Sequence, residues 1–233
     1  MTSLTSHRGP VRPPGVPNAL AEWGSVAAIA AGLAGIVAVR LAATRAGLDP
    51  LAVGAAFGVA LGALGAVGAV AMRSSLPVIV ARPVRAASGE PGSPRQGRRL
   101  ALGLVAGVGA GLALAALTLL APAIAGTAHV PGLGRPAAPL VPWALVTILV
   151  ASAEEGLLRG VLLDRLERRS GLAGAIVLTS VAFALIHVPL YGWHVVPLDL
   201  AIGIAFAGLR LSTRTLLAPM AAHAVADLAT WWL

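Results

Sequence analysis

The chain has 233 residues, of which 58% are apolar and only 11% charged. A soluble domain carries roughly 25% charged residues, and the mean hydropathy here is +0.87. An ordinary water-soluble globule is therefore excluded, and a membrane-embedded chain is indicated. All 17 basic residues are arginine, and the net charge is +8. They lie between apolar runs, so they read as topology determinants and not as a nucleic-acid-binding face. Cysteine is absent, which excludes disulfides, thiolate metal sites and cysteine nucleophiles.

Residues 1–20 are polar and Pro-rich and predict a short disordered tail. Seven apolar segments follow, judged against the ~20 residues needed to cross a bilayer. They run over about 22–43, 51–72, 100–125, 140–165, 172–191, 195–210 and 214–233. No small-residue cleavage site follows the start of the first, so it reads as an uncleaved span. With the N-terminus inside, thirteen arginines fall on the cytoplasmic side, six of them in the loop 73–99. Three, Arg40, Arg45 and Arg135, fall on the other side, and Arg159 lies within a span. This bias predicts a cytoplasmic N-terminus and an outward C-terminus. The fold class expected is all-α: a polytopic transmembrane helical bundle of about seven spans, with room for an eighth helix hidden in a long span or loop.

Residues 21–139 read as scaffold. Gly54, Gly58 and Gly62 recur every four residues, as do Gly103, Gly107 and Gly111. Such spacing lets a neighbouring backbone approach closely, and internal packing is preferred over a dimer face. The oligomeric state is not readable from these stripes. The basic loop 73–99 is read as a topology determinant before a lipid-binding element.

Residues 140–233 carry the polar information. Glu154, Glu155 and Arg159 interrupt one apolar segment, Phe183 and His187 mark the next, and His223 and Asp227 lie in the last. An ionised group at bilayer depth costs roughly 2.5–3.5 kcal/mol, so it persists where it pairs or faces a wet cavity. At 1.5 Å per residue from the expected cytoplasmic boundaries, Glu154 lies roughly 16 Å deep, His187 20 Å, His223 15 Å and Asp227 21 Å. The polar groups of three helices thus reach nearly one level. Glu155 and Arg159, four apart, can form an ion pair, which leaves Glu154, about 100° away, free to face a cavity. His223 and Asp227 share a face, and Phe183 lies one turn before His187. Arg159 could instead snorkel to the interface, and His223 with Asp227 could be a helix-locking pair. His129 and His194 receive no role, and Asp199 reads as interfacial. Carboxylates and imidazoles without a Ser, Cys or Lys nucleophile suit activation of a water by general base catalysis, with or without a metal.

These residues also form ordered motifs. Glu154-Glu155-Gly-Leu-Leu-Arg159 fits E-E-x-x-x-R, Phe183-Ala-Leu-Ile-His187 fits F-x-x-x-H, and His223-Ala-Val-Ala-Asp227 fits H-x-x-x-N/D. Together, over about residues 140–233, they resemble the CPBP intramembrane protease family, which includes CAAX prenyl proteases of the Rce1 type and the Abi bacteriocin-processing or immunity proteins. The resemblance implies a membrane endopeptidase with a cavity open toward the cytoplasm. It implies Glu154 as the base that activates water, and His187 as a holder of that water or of a metal. His223 and Asp227 would bind metal or stabilise the oxyanion, while Glu155, Arg159 and Phe183 support the site. Asp227 stands where many relatives have Asn. An ionised Asp cannot donate to an oxyanion, so it is protonated, accepts from His223, or favours a cation.

No H-E-x-x-H helix is present. Glu154, His187, His223 and Asp227 could ligate one zinc ion with a water position open, and a metal-free water site would use the same side chains. The expected partners are the lipid bilayer and a membrane-associated peptide or protein substrate, CAAX-type or related. The expected location is a bacterial plasma membrane. A non-catalytic immunity or interaction protein of the same family is the alternative. A proton-coupled transporter gains no support, because no inverted repeat is visible.

Overall fold

The structure, a computed structural model, describes residues 19–75, 94–125 and 138–232. The expected tail lies outside these residues, as do positions 76–93 of the expected basic loop. Helices α1 (Ala19–Arg45), α2 (Pro50–Ser75) and α3 (Pro94–Ala125) form the N-terminal half. Helix α4 (Leu140–Glu155) runs through a π-helical segment, Gly156–Leu162, into α5 (Leu163–Tyr191). Helices α6 (Val196–Thr213) and α7 (Leu217–Ala229) complete the chain, and a short 3₁₀ turn, Thr230–Trp232, follows α7. Among the described residues there is no strand, and the protein is an all-α helical bundle.

Five stretches are long and apolar enough to cross a membrane: Trp23–Arg45, Pro50–Ala71, Pro94–Thr118, Leu140–Tyr191 and Trp193–Thr213. Two expectations change. The fourth and fifth predicted spans are two helices joined directly at the non-helical Gly171, within one stretch of 52 residues, so the loop expected after residue 165 shrinks to that kink. At 1.5 Å per residue the stretch would measure about 78 Å, more than twice a hydrocarbon core, so it has to turn. It turns at Gly171, whose φ of +70° is open to glycine at little cost. Arg165, Arg168 and Arg169 are therefore helical and not in a loop. Arg165 is buried and donates to the Gly68 carbonyl at 2.7 Å and to Ser25 Oγ, tying this stretch to α1 and α2. The seventh expected span, 214–233, is a helix of only 13 residues. That is about 20 Å, short of a crossing on its own. The ends of the expected basic loop are also helical, with Arg73 in α2 and Arg95, Arg98 and Arg99 in the first turns of α3.

The glycine stripes pack inside the bundle. A Cβ on Gly54 would meet Val146 at 2.8 Å, and one on Gly58 would meet Leu149 at 2.9 Å, which sets α2 against α4. One on Gly111 would lie 2.6 Å from the Ala222 carbonyl oxygen, and those on Gly103 and Gly107 would strike Thr215 and the Ala218 carbonyl. These contacts seat α7 along α3. Gly62 differs, with nothing within 4 Å of its Cβ position. It lines an open apolar groove of about 350 Å³ between α2 and the end of α4 with the π-helical segment that follows, reaching Leu216. The core beneath is closed by Phe57, Leu61, Leu157, Leu158, Phe183 and Phe206.

Gly111→Ala is expected to destabilise the detergent-purified protein by about 1–3 kcal/mol through overpacking against a backbone oxygen that cannot turn away. Gly62→Ala should be neutral or stabilising, because the methyl meets nothing. Thermal unfolding followed by circular dichroism compares them, and equal effects would remove the packing account.

Candidate active site

Arg159 sits in the π-helical segment, with no exposed surface. Its Nη1 donates to Glu155 Oε1 at 2.8 Å, and both side chains are fully buried. Its Nη2 donates to the Gly203 carbonyl on α6 at 3.1 Å. The guanidinium carbon lies 4.7 Å from the ring centre of Phe183 and 5.6 Å from that of Phe206. The side chain therefore does not snorkel. Its charge is matched by a carboxylate, a main-chain carbonyl and two aromatic faces.

Glu155 has a second partner that its sequence position does not reveal. Its Oε1 accepts from His223 Nδ1 at 3.2 Å. The other ring nitrogen of His223, Nε2, lies 3.5 Å from Asp227 Oδ2 and 3.9 Å from Glu154 Oε2. The imidazole thus stands between Glu155 on one side and Glu154 and Asp227 on the other. Asp227 is placed to accept from His223, one of the three arrangements open to an Asp at this position. Glu154 is 3% exposed, and its Oε2 accepts no hydrogen bond. A buried carboxylate oxygen in that state is one that a water or substrate proton would satisfy.

His187 is held separately. Its Nδ1 faces the Phe183 carbonyl at 2.9 Å and Asp199 Oδ2 at 3.4 Å. Both are acceptors, so Nδ1 carries a proton and Nε2 faces away from them. Asp199, read from sequence as interfacial, thus meets the imidazole of a motif residue. The Phe183 ring packs edge-on against His187 at 4.8 Å and against His223 at 5.5 Å, standing between the two imidazoles. Phe206 completes the wall, 5.3 Å from the His223 ring. Neither Asp199 nor Phe206 belongs to a motif. The available signal was their spacing: seven apart on α6, two turns, they share one face. His194 is exposed in the turn after α5, and His129 lies outside the described residues.

Among the described residues, no group of three or more His, Asp or Glu side chains converges on a metal position. Donors about 2.1 Å from a tetrahedral zinc lie about 3.4 Å apart; His223 Nε2 lies 3.5 Å from Asp227 Oδ2 and 3.9 Å from Glu154 Oε2. His187 Nδ1 is turned to Phe183 and Asp199, which leaves Nε2 as its ring nitrogen open to a ligand.

Exposure rises in one direction. The side chains of Glu155 and Arg159 are at 0%, Asp199 is at 15% and Asp227 at 46%. Asp199 is in the first turn of α6, and His187 in the last turn of α5. Trp231, just past α7, stacks 5.1 Å from Trp143 in the first turn of α4. The partly exposed Asp199 therefore lies at the bundle end that carries the α5–α6 turn and the start of α4.

Two outcomes are expected. Arg159→Ala strands Glu155 in the core, and breaking a buried pair costs about 3–5 kcal/mol. Folded yield by size-exclusion chromatography should fall, and the joint Glu155→Gln, Arg159→Met change should restore much of it. Asp199→Asn removes the carboxylate from His187. ¹⁵N spectra of histidine-labelled protein should then show His187 losing its Nδ1–H tautomer, and an unchanged spectrum would assign that tautomer to the Phe183 carbonyl alone.

Residues 136–229 match the family described as type II CAAX prenyl endopeptidase, Rce1-like. No curated protein and no solved structure matches the chain. The matched segment contains every motif residue of the site and both α6 residues that complete it. Residues 136–229 are thus similar to the Rce1-like family of CAAX prenyl endopeptidases, and the similarity extends over the C-terminal part of the chain.

Proposed function

We propose that the protein is an intramembrane endopeptidase in which Glu154 activates a water for attack on a peptide carbonyl. The observation that carries this reading is the contrast between two adjacent carboxylates. Glu155 is clamped through its Oε1 by Arg159 and His223 and leaves only its Oε2 without a partner, while the Glu154 Oε2 that faces His223, 3.9 Å from Nε2, accepts no hydrogen bond. In the proposed step Glu154 takes a proton from the water as its oxygen bonds to the carbonyl carbon. The C=O electrons move onto oxygen, giving a tetrahedral oxyanion. Collapse re-forms the carbonyl and breaks the C–N bond, and the proton on Glu154 passes to the leaving amine.

His223 faces carboxylate oxygens at both nitrogens, so it is read as a donor at both and as the positive group nearest the oxyanion. Asp227 holds it from the exposed side. His187 Nε2, facing away from Phe183 and Asp199, is suited to orient the attacking water. Arg159 and Glu155 position the imidazole of His223 and touch no reacting atom. No step in this scheme requires a metal. The substrate is a peptide or protein terminus at the membrane, and the family description points to CAAX-type sequences as the first to assay.

Glu154→Gln keeps size and hydrogen bonding but cannot take the proton. It should leave insertion and folded yield intact and lower cleavage by about 10²–10⁴. The check is a purified wild-type and variant pair assayed on prenylated and unprenylated peptide libraries at equal folded concentration. Equal cleavage would remove Glu154 from the base role. No cleavage by wild type, with both proteins equally functional in cells, would favour the non-catalytic immunity reading.

A further inference from the structure

Helices α3, α5 and α6 each bring an arginine to the turn between α6 and α7, residues 214–216. A Cβ on Gly103 of α3 would strike Thr215, and one on Gly160 would lie 3.2 Å from Leu216. Helix α3 and the π-helical segment therefore both pack on the turn. Arg99 stands four residues before Gly103 on α3, and Arg210 four residues before Arg214, which ends α6. Asp164, four residues past Gly160, acts electrostatically on Arg210 and on Arg168 of α5, and Glu167 acts on Asp164. Four arginines thus gather around two carboxylates.

Packing accounts for neither of two further features. The first is a pair of orphaned donors. Arg99 Nη1 and Arg210 Nε are buried and have no hydrogen-bond partner among the described residues. The hydroxyls nearby are already engaged: Thr213 Oγ1 donates to the Leu209 carbonyl at 2.7 Å, and Thr215 Oγ1 accepts from the Leu217 amide at 3.2 Å. A charged donor buried without an acceptor is a position that an ion or a water completes. The second feature is the backbone. Arg214 has a φ of +56°, the one positive φ outside glycine among the described residues. A helix end of this shape is ordinarily given to glycine, and the chain has 28 glycines. An arginine there costs backbone energy that contacts of its side chain have to offset.

We propose that the arginines around the α6–α7 turn hold the phosphate of an anionic phospholipid, with Arg99, Arg210 and Arg214 as its donors. Guanidinium groups offer paired N–H bonds that match phosphate oxygens. The level of the cluster selects a lipid over a soluble anion. Arg210 and Arg214 stand at the end of a stretch long enough to cross the membrane, and Arg99 lies about 8 Å from the start of α3. Headgroups lie at that level. This is also the end that the arginine bias assigns to the cytoplasm, and basic pockets between helices on that side are where anionic headgroups bind. A phosphate held there would tie α3 to α6 across the turn that starts α7, the helix that carries His223. The proposal does not depend on the peptidase reading.

Protein purified in a neutral detergent is titrated with phosphatidylglycerol and, in parallel, with phosphatidylcholine and with inorganic phosphate, and thermal unfolding is followed by circular dichroism. Phosphatidylglycerol should raise the unfolding temperature, and the other two should not. Arg99→Gln and Arg210→Gln should each raise the lipid concentration at half the shift about fivefold, the worth of one arginine near an anionic surface. Arg214→Gly separates binding from folding. It relieves the left-handed backbone, so the lipid-free variant should unfold at the wild-type temperature or above, while its response to lipid weakens as much as that of Arg210→Gln. Arg45→Gln, in the last turn of α1 at the other end of the bundle, should respond as wild type. A wild-type response from Arg210→Gln and Arg214→Gly would overturn the proposal. So would an equal loss in Arg45→Gln, which would make the attraction one of overall charge. An equal shift with phosphatidylcholine would overturn the part played by the arginines, and an equal shift with inorganic phosphate would overturn the choice of a lipid.

Discussion

A guanidinium with no exposed surface has to be neutralised by its surroundings, and the site is organised around meeting that demand for Arg159. One nitrogen takes the Glu155 carboxylate, another takes the Gly203 carbonyl, and two phenyl rings cover the faces. These partners come from α4, α5 and α6. Glu155 passes the constraint to α7 by accepting from His223. Four helices are therefore held in register by one charge, and no pair of them can slide without uncovering it. A buried ion pair of this kind is poor evidence for net stability; its use here is to fix geometry.

Close helix approach makes that geometry reachable. Helix α7 is too short to cross a bilayer by itself, so its place is set by what it packs against. Gly111, with Gly103 and Gly107, removes the side chains that would hold α3 and α7 apart. His223 then reaches both neighbouring glutamates. The π-helical segment that starts at Gly156, directly after Glu155, alters the local turn while the Glu155–Arg159 contact is kept. Such segments are rare and gather at functional positions.

The helical class and the Glu155–Arg159 pair were legible because each rests on local arithmetic: apolar run length in one case, four-residue spacing in the other. The grouping of Glu154 with His223 was legible from depth, which needs only rise per residue and an estimate of the boundaries. The His187 contact of Asp199 was not legible because depth alone cannot say whether a carboxylate near a span end also meets an imidazole on the adjacent helix. Gly203 was invisible for a different reason, since its contribution is a carbonyl that every residue has. The missing loop after residue 165 was masked by arginines, which look like a boundary when read in one dimension. In the fold Arg165 lies inside the bundle, held by a carbonyl of α2.

The Gly203 contact separates chemistry from side-chain identity. The acceptor for Arg159 belongs to the main chain, so no substitution at 203 deletes it outright. What position 203 must supply is emptiness, because a Cβ there would lie 2.9 Å from Ser180 Cα and push α6 off α5. A residue swap at 203 would thus act as a wedge: it would lengthen the bond to Arg159 by displacing a whole helix, and Asp199 and Phe206 would travel with it. The position furthest from any reactive group by chemical type is, mechanically, a shim that sets the gap for the entire α6 wall.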